Sequence, residues 1–299
     1  MQNKIFNKNS CRFESSVNLK GINNPLSVII QITRRCDLSC VFCSETERMP
    51  DATIEDLIKI KNNLKGVSRV YLSGGEPLLR NDLQDILKIF YKDFIIGLPT
   101  NALKVDKKSA LFIEKYVDFV TVGLDGPRSV TNRVRGDYDG IIKGINILKS
   151  KEIPLALCAV VLSSSKKSVP YACQIADVLG AKKIKLILPI LKGNALKLPK
   201  SEYLNIEEAE KLFRQIKELK KKFDWKVKIT MTTWKREVEG YSILVYPNGD
   251  TYAWPVYDKK DKVLFLGNLT KESIKSIWQK YPFKLNHLNK YLGRSINIT

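Results

Sequence analysis

The sequence predicts an α/β fold: a parallel sheet of six strand–helix units, in an open doubly wound sheet or a partial barrel, with a small α+β appendage. Three observations carry this reading. Residues 26–222 alternate short β-rich runs with amphipathic helical stretches, the pattern of consecutive βαβ units. No Gly/Ser linker or low-complexity run interrupts that region. Beyond residue 222 the alternation stops, and short strands around an Asn-Gly turn take over.

The elements follow in order. Residues 1–25 read as an N-terminal arm; "MQNKIFNKNSCRF" lacks the apolar centre of a signal peptide. Strands are expected at 28–33 "VIIQIT", 69–73 "RVYLS", 94–99 "FIIGLP", 118–124 "DFVTVGL", 154–162 "PLALCAVVL" and 183–189 "KIKLILP". Helices are expected near 53–64, 80–91, 107–116, 138–151, 167–179 and 205–222. The nearly unbroken apolar run at 154–162 suits a strand covered on both faces. Residues 223–299 form the appendage: "KVKITMTT", "YSILVY", a "PNGD" turn, "TYAW", and a helix in "TKESIKSIWQKY" opened by Thr270, with Ser273 and Ile274 following. In either parallel arrangement ligands bind at the carboxyl ends of the strands.

The totals narrow the class. With 299 residues, 44% hydrophobic and 27% charged, the chain can bury a sizeable core as an ordinary globular protein. Its longest apolar runs are too short to span a bilayer, so a cytoplasmic location is expected, with no membrane partner. There thiols stay reduced, and clustered cysteines point to metal or catalysis rather than disulfides. The formal charge of +20 suits either solvated helix faces or an anionic partner, nucleic acid included; the basic residues are spread along the chain, which favours solvation. A single histidine, His287, leaves no credible Ser–His–Asp or Cys–His arrangement.

Cys36, Cys40 and Cys43, in "RRCDLSCVFCSE", stand in a C-x3-C-x2-C pattern directly after the first strand. A structural zinc site takes four ligands, and only three are present. An iron–sulfur cube held by three thiolates leaves one iron open for a substrate or cofactor. With Phe42 before the last cysteine, the motif resembles that of the radical S-adenosylmethionine (SAM) superfamily. The resemblance implies a partial (βα)6 barrel with a [4Fe–4S] cluster on Cys36, Cys40 and Cys43. It also implies SAM on the fourth iron, cleaved reductively to a 5′-deoxyadenosyl radical that takes a hydrogen atom from the substrate.

Later segments extend the resemblance. "SGGEP" ends the second strand, where Gly74 and Gly75 allow close backbone approach and Glu76, before Pro77, would receive the SAM ammonium. "LPTNA" resembles a Thr-Asn-Gly segment, with Ala102 in place of glycine; "VGLDGP" resembles Ser-Leu-Asp-Gly, with Gly123 in place of serine. Asn101, Asp125 and, in "NRVRGDYDG", Arg135 are then expected polar contacts of SAM. "LILPILKGNA" (186–195) would lie near adenine.

"GYSILVYPNGDTYAWPVY" resembles the start of the cluster-bearing extension of SPASM-type enzymes, a subgroup that includes MoaA-like proteins. Trp254 and Glu237 stand near the places of its cysteines, so the extension reads as a scaffold without cluster ligands. The implied substrate is a peptide or small metabolite, with RNA or nucleotide modification and a non-catalytic cluster protein as alternatives. An electron donor such as ferredoxin or flavodoxin is implied. Cys158 and Cys173 are candidate hydrogen-atom donors; Cys11 lies in the arm, and Trp234, Tyr252 and Trp254 are candidate pocket walls. Without an auxiliary cluster, epimerisation, isomerisation or reductive bond cleavage is favoured.

Overall fold

The computed structural model describes residues 24–25, 27–232, 242–256 and 263–281, and the backbone alone of 6–7, 12–13 and 297–298. Cys11, Trp234, Glu237 and His287 lie outside the described residues.

Seven parallel strands form the body: β1 (Ser27–Thr33), β2 (Arg69–Gly74), β3 (Ile95–Thr100), β4 (Phe119–Gly123), β5 (Leu155–Val160), β6 (Lys183–Ile187) and β7 (Lys228–Thr232). The connecting helices are α1 (Ile54–Asn63), α2 (Leu83–Phe90), α3 (Lys107–Tyr116), α4 (Arg128–Val134), α5 (Tyr138–Lys149), α6 (Val169–Val178) and α7 (Ile206–Phe223). Of the two parallel arrangements that the alternation allows this is the partial barrel, the one the resemblance implies, each of the first six strands being followed by a helix. The caps show why the helices start where they do. Thr53 accepts from the Asp56 amide at 3.0 Å, and Asp106–Ser109 and Asn205–Glu208 form reciprocal capping boxes.

Two differences from the expected plan concern the edges. "KVKITMTT" belongs to the barrel rather than to the appendage: β7 pairs in parallel with β6, Lys185 opposite Thr230. Its alternating pattern reads as well for a half-buried parallel strand as for a hairpin. The appendage is not a separate layer either. Strand β8 (Ser242–Val245) pairs in parallel with β1, Ile243 opposite Val28, then turns through Asn248 and Gly249 into antiparallel β9 (Asp250–Ala253) and β10 (Phe265–Asn268). One sheet therefore runs β10-β9-β8-β1-β2-β3-β4-β5-β6-β7, with Asn297–Ile298 on its far edge. The last described helix, α8 (Ile274–Gln279), is capped by Ser273; Thr270 instead bonds the Asn268 side chain.

Burial divides the strands by parity. Ile30, Leu72, Ile96, Leu98, Val122, Leu157, Ile184 and Ile229 are all at most 1% exposed and pack under the helices in one core. Each such side chain contributes about 1.5–3 kcal/mol on burial. The opposite face lines the barrel lumen. There Gly97 lets Tyr71 and Phe119 meet across β3: a Cβ at 97 would stand 2.6 Å from Phe119 and 2.7 Å from Tyr71. No helix among the described residues is long and apolar enough to cross a membrane.

Candidate active site

The cysteines sit on the loop from β1 to α1, and the loop is tied at its base. Arg80, 8% exposed, donates from Nη1 to the carbonyls of Ile32 and Ala52, both at 2.7 Å, and so clamps both ends together. Inside that clamp Asp51 accepts from Thr33 Oγ1 at 2.6 Å and from Arg35 Nη2 at 2.6 Å. Arg35 is thus a strut of the loop, whereas Arg34 is 6% exposed and lies against Glu45 at 3.2 Å. The tip is held from two sides. The Val41 amide donates to the Val134 carbonyl at 3.0 Å; Asn194 donates from Nδ2 to the Cys40 carbonyl and from its amide to the Cys43 carbonyl, at 3.1 and 2.8 Å. The "LILPILKGNA" segment therefore reaches this loop.

Burial pushes the Cys36 and Cys43 thiols above the ordinary value, and that of Cys40 up to about 11. A bound metal centre would lower them again, in the same direction as the Arg135 charge acts on Cys40 and Cys43. No three His, Cys, Asp or Glu side chains among the described residues gather round a point for a single metal ion. Three thiols on one short, clamped loop suit a cluster that takes one thiolate per iron.

"SGGEP" adjoins this loop. The Gly75 amide donates to the Thr33 carbonyl at 3.0 Å and the Glu76 amide to the Arg35 carbonyl at 2.8 Å. A Cβ on Gly75 would stand 2.7 Å from the Arg35 carbonyl carbon and 3.0 Å from Cys36 Cβ. Glu76 is fully buried and accepts from Leu78 N, Thr100 Oγ1 and Asn101 N at 3.0, 2.8 and 2.6 Å. Burial raises its pKa to about 7 against those hydrogen bonds. Pro77 opens the short turn that Glu76 caps. Asn101 also donates from Nδ2 to Asp37 Oδ1 at 2.7 Å, so Asp37, inside the cysteine motif, joins the group. Ala102 takes φ 65°, the left-handed conformation for which glycine is the easier residue.

Asp125 and Arg135 meet. Arg135 donates to both Asp125 oxygens at 2.7 and 3.1 Å, and Asp125 also accepts the Val160 amide at 2.8 Å. The guanidinium lies 5.0 Å from the Phe42 ring centroid, beside the cysteine loop. A Cβ on Gly123 would collide with that guanidinium, so the glycine in place of serine makes room for Arg135. Cys158, opposite Gly123 on β5 and half-buried, faces the lumen, and burial holds its pKa above the ordinary value. Cys173 does not join the site: α6 carries it fully buried into the apolar layer, where burial alone pushes its thiol up to about 12. Tyr252 and Trp254 pack with Leu244, Tyr246 and Val256 in a separate apolar cluster on the hairpin side.

Sequence reasoning missed a group of side chains that supports the loop from behind. Lys192, 6% exposed, donates to Glu45 Oε1 at 2.9 Å and to the Tyr246 hydroxyl at 2.7 Å; Arg34 lies 4.9 Å from the Tyr246 ring centroid. The signal was a lone lysine in an otherwise apolar segment. Lys192→Met leaves the half-buried Glu45 carboxylate with one cation fewer. A loss of roughly 2 kcal/mol in denaturant unfolding is expected; a change below about 0.5 kcal/mol would show that the pair is incidental.

A family profile described as the radical SAM superfamily matches residues 30–165. The chain is 28% identical over 209 residues to an uncharacterized protein of Methanocaldococcus jannaschii, covering 63% of this chain and 70% of that one. It is 26% identical over 283 residues to a probable GTP 3',8-cyclase of Methanococcus maripaludis, covering 85% of this chain and 94% of that protein. Among solved structures, Streptococcus suis SuiB bound to S-adenosylmethionine superposes with a TM-score of 0.74 at 16% identity, over 92% of this chain and 68% of SuiB. The anSMEcpe enzyme with bound AdoMet and a peptide gives 0.66 at 19% identity, over 88% and 82%.

Proposed function

We propose that this chain is a radical SAM enzyme of the MoaA/SPASM-like kind, with a [4Fe–4S] cluster and SAM, that it abstracts a hydrogen atom from a substrate seated in the barrel lumen, and that it carries one cluster only. The observation that carries the reading is the clamped loop of Cys36, Cys40 and Cys43 at the carboxyl edge of β1, beside "SGGEP". When bound, the cluster and SAM supply one-electron cleavage and a hydrogen-abstracting radical.

The chain's own part is positioning. Arg80 and Asp51 hold the loop, and the backbone at Gly74 and Gly75, with Glu76, receives the ammonium of SAM. A cation there favours the ionised form of a carboxyl that burial otherwise holds near neutrality. Asn101, Asp125 and Arg135 supply further polar contacts. Cys158, kept as a thiol in the lumen, is the hydrogen-atom donor to a substrate radical.

Three cysteines remain outside the loop, and none follows residue 173. A second cube with full cysteine ligation needs four. Without an auxiliary electron acceptor, epimerisation, isomerisation or reductive bond cleavage is favoured over net oxidation, with electrons from a ferredoxin or flavodoxin. The substrate is a peptide or small molecule; a nucleotide is the second reading, favoured by the GTP 3',8-cyclase name of the M. maripaludis relative.

The test is anaerobic reconstitution followed by reduction with dithionite in the presence of SAM. Iron and sulfide should each approach about four per chain, and 5′-deoxyadenosine should accumulate. A reduced cluster that never cleaves SAM overturns the enzymatic reading. About eight irons, half of them surviving loss of the loop cysteines, overturns the single-cluster reading.

A further inference from the structure

Between Cys36 and Cys43 the loop holds one charged residue, Asp37. Its carboxylate is not simply solvated. The side chain is 22% exposed, and Oδ1 accepts from Asn101 Nδ2 at 2.7 Å, across 64 positions of sequence. Lys104 stands 3.9 Å from Oδ2 with half of its own side chain exposed, and an ion pair of that kind contributes little. The bond to Asn101 is therefore the contact that ties Asp37 down.

Asn101 is held so that its nitrogen faces Asp37. Its Oδ1 accepts the Leu103 amide at 2.9 Å, which settles the orientation of the carboxamide: oxygen to Leu103, nitrogen to Asp37. Its own amide donates to Glu76 Oε2 at 2.6 Å. Thr100 works in the same way, accepting the Ala102 amide at 2.9 Å and donating to Glu76 Oε1 at 2.8 Å. Both oxygens of the buried Glu76 are thus gripped by the end of β3.

Three hydrogen bonds then close a ring. The Glu76 amide donates to the Arg35 carbonyl at 2.8 Å, the Asn101 amide to the Glu76 carboxylate, and the Asn101 side chain to Asp37. Cys36 lies between Arg35 and Asp37, so each of its neighbours is tied to the group at the ends of β2 and β3. Without the Asp37 carboxylate only the main-chain tie at Arg35 remains, and Cys36 is free to turn about it. The rest of the loop keeps its own supports, because Arg80, Asp51 and Asn194 hold its base and tip through other atoms.

We propose that Asp37 is a positioning residue: through Asn101 it fixes Cys36 against Glu76, and so presets the span between the cluster and the carboxylate that SAM has to bridge. A span set before binding costs no ordering when the ligand arrives. The proposal rests on the reading above in taking Cys36 as a cluster ligand and Glu76 as the receiver of the SAM ammonium. It gives the one carboxylate of the cysteine loop a mechanical task rather than an electrostatic one.

The experiment uses cluster-loaded protein. It reads iron content, SAM affinity by calorimetry, and the change in the EPR spectrum of the dithionite-reduced cluster when SAM is added. Asp37→Ala should keep about four irons per chain. It should bind SAM about tenfold more weakly, the effect of losing one hydrogen bond to a charged group, and its spectrum with SAM should differ from that of wild type. Asp37→Asn discards the charge but keeps an acceptor oxygen for Asn101, so it should bind SAM as wild type does. Asn101→Ala retains the main-chain amide on Glu76 and should match Asp37→Ala. The double variant should be no weaker than either single one, because the two residues act in series. Wild-type affinity in Asp37→Ala overturns the proposal. Loss of iron in that variant also overturns it, by making Asp37 a structural part of the loop. An equal loss of affinity in Asp37→Asn overturns it by making Asp37 a charge that attracts a cation, and losses that add in the double variant overturn the route through Asn101. Failure of the underlying reading looks different: wild-type protein that holds its cluster yet neither binds SAM nor changes its spectrum sinks both, whereas wild-type protein that binds and cleaves SAM leaves only Asp37 in question.

Discussion

Replacing any one of Cys36, Cys40 or Cys43 with alanine should remove the cluster absorbance and reductive SAM cleavage together. Three thiolates are all that the loop offers, and a cube left with two protein ligands has two exposed irons. The fold should survive the change. The loop is closed by Arg80 and Asp51, and its tip by the backbone bonds at Val41, Cys40 and Cys43, none of which uses a thiol as donor. Thermal unfolding of the cluster-free variants should therefore lie close to that of cluster-free wild type. A single replacement that retains SAM cleavage would refute the ligand assignment.

Gly75→Val should be nearly as damaging, for a reason that the sequence did not disclose. Read as a SAM-facing glycine, residue 75 would cost SAM affinity and spare the cluster. The structure places the Arg35 carbonyl and Cys36 Cβ where the valine Cβ must go. The substitution therefore pushes the first cysteine out of place, and cluster loading is lost along with SAM binding. Overpacking of this kind costs about 1–3 kcal/mol of stability as well. Iron content after anaerobic reconstitution decides the matter: a full cluster with weakened SAM binding would restore the simpler view.

How much of this was legible depended on the range of the interaction. The strand–helix alternation is local, and all six units could be read from it. Helix α4, seven residues entered directly from Pro127, is too short to show a period. The cysteine motif and "SGGEP" were legible because their chemistry lies in spacing. The parts that brace them were not. Arg80 with Ile32, Lys192 with Glu45 and Tyr246, and Gly123 with Arg135 are contacts between distant residues, and single-sequence patterns carry no pairing information. The assignment of 228–232 to the appendage failed for the same reason: a strand's neighbour is a long-range fact.

The pairing of β8 with β1 has a consequence for biosynthesis. Ser27 and Ser242, 215 positions apart, have their hydroxyls 3.1 Å from each other across that seam. Chains emerge from the ribosome N-terminus first, and closing so large a loop is slow. Strand β1, from which the cysteines hang, is thus among the earliest parts made, yet its outer edge stays open until the hairpin is released. Until then that edge, on a strand rich in isoleucine and valine, has no strand beside it and is of the kind that recruits a neighbouring chain. Tyr246 arrives on that same late hairpin and completes the support behind Glu45. Iron loading into a fully braced loop is therefore a step for the finished polypeptide, and premature termination ahead of residue 242 would yield an aggregating product instead of a smaller enzyme.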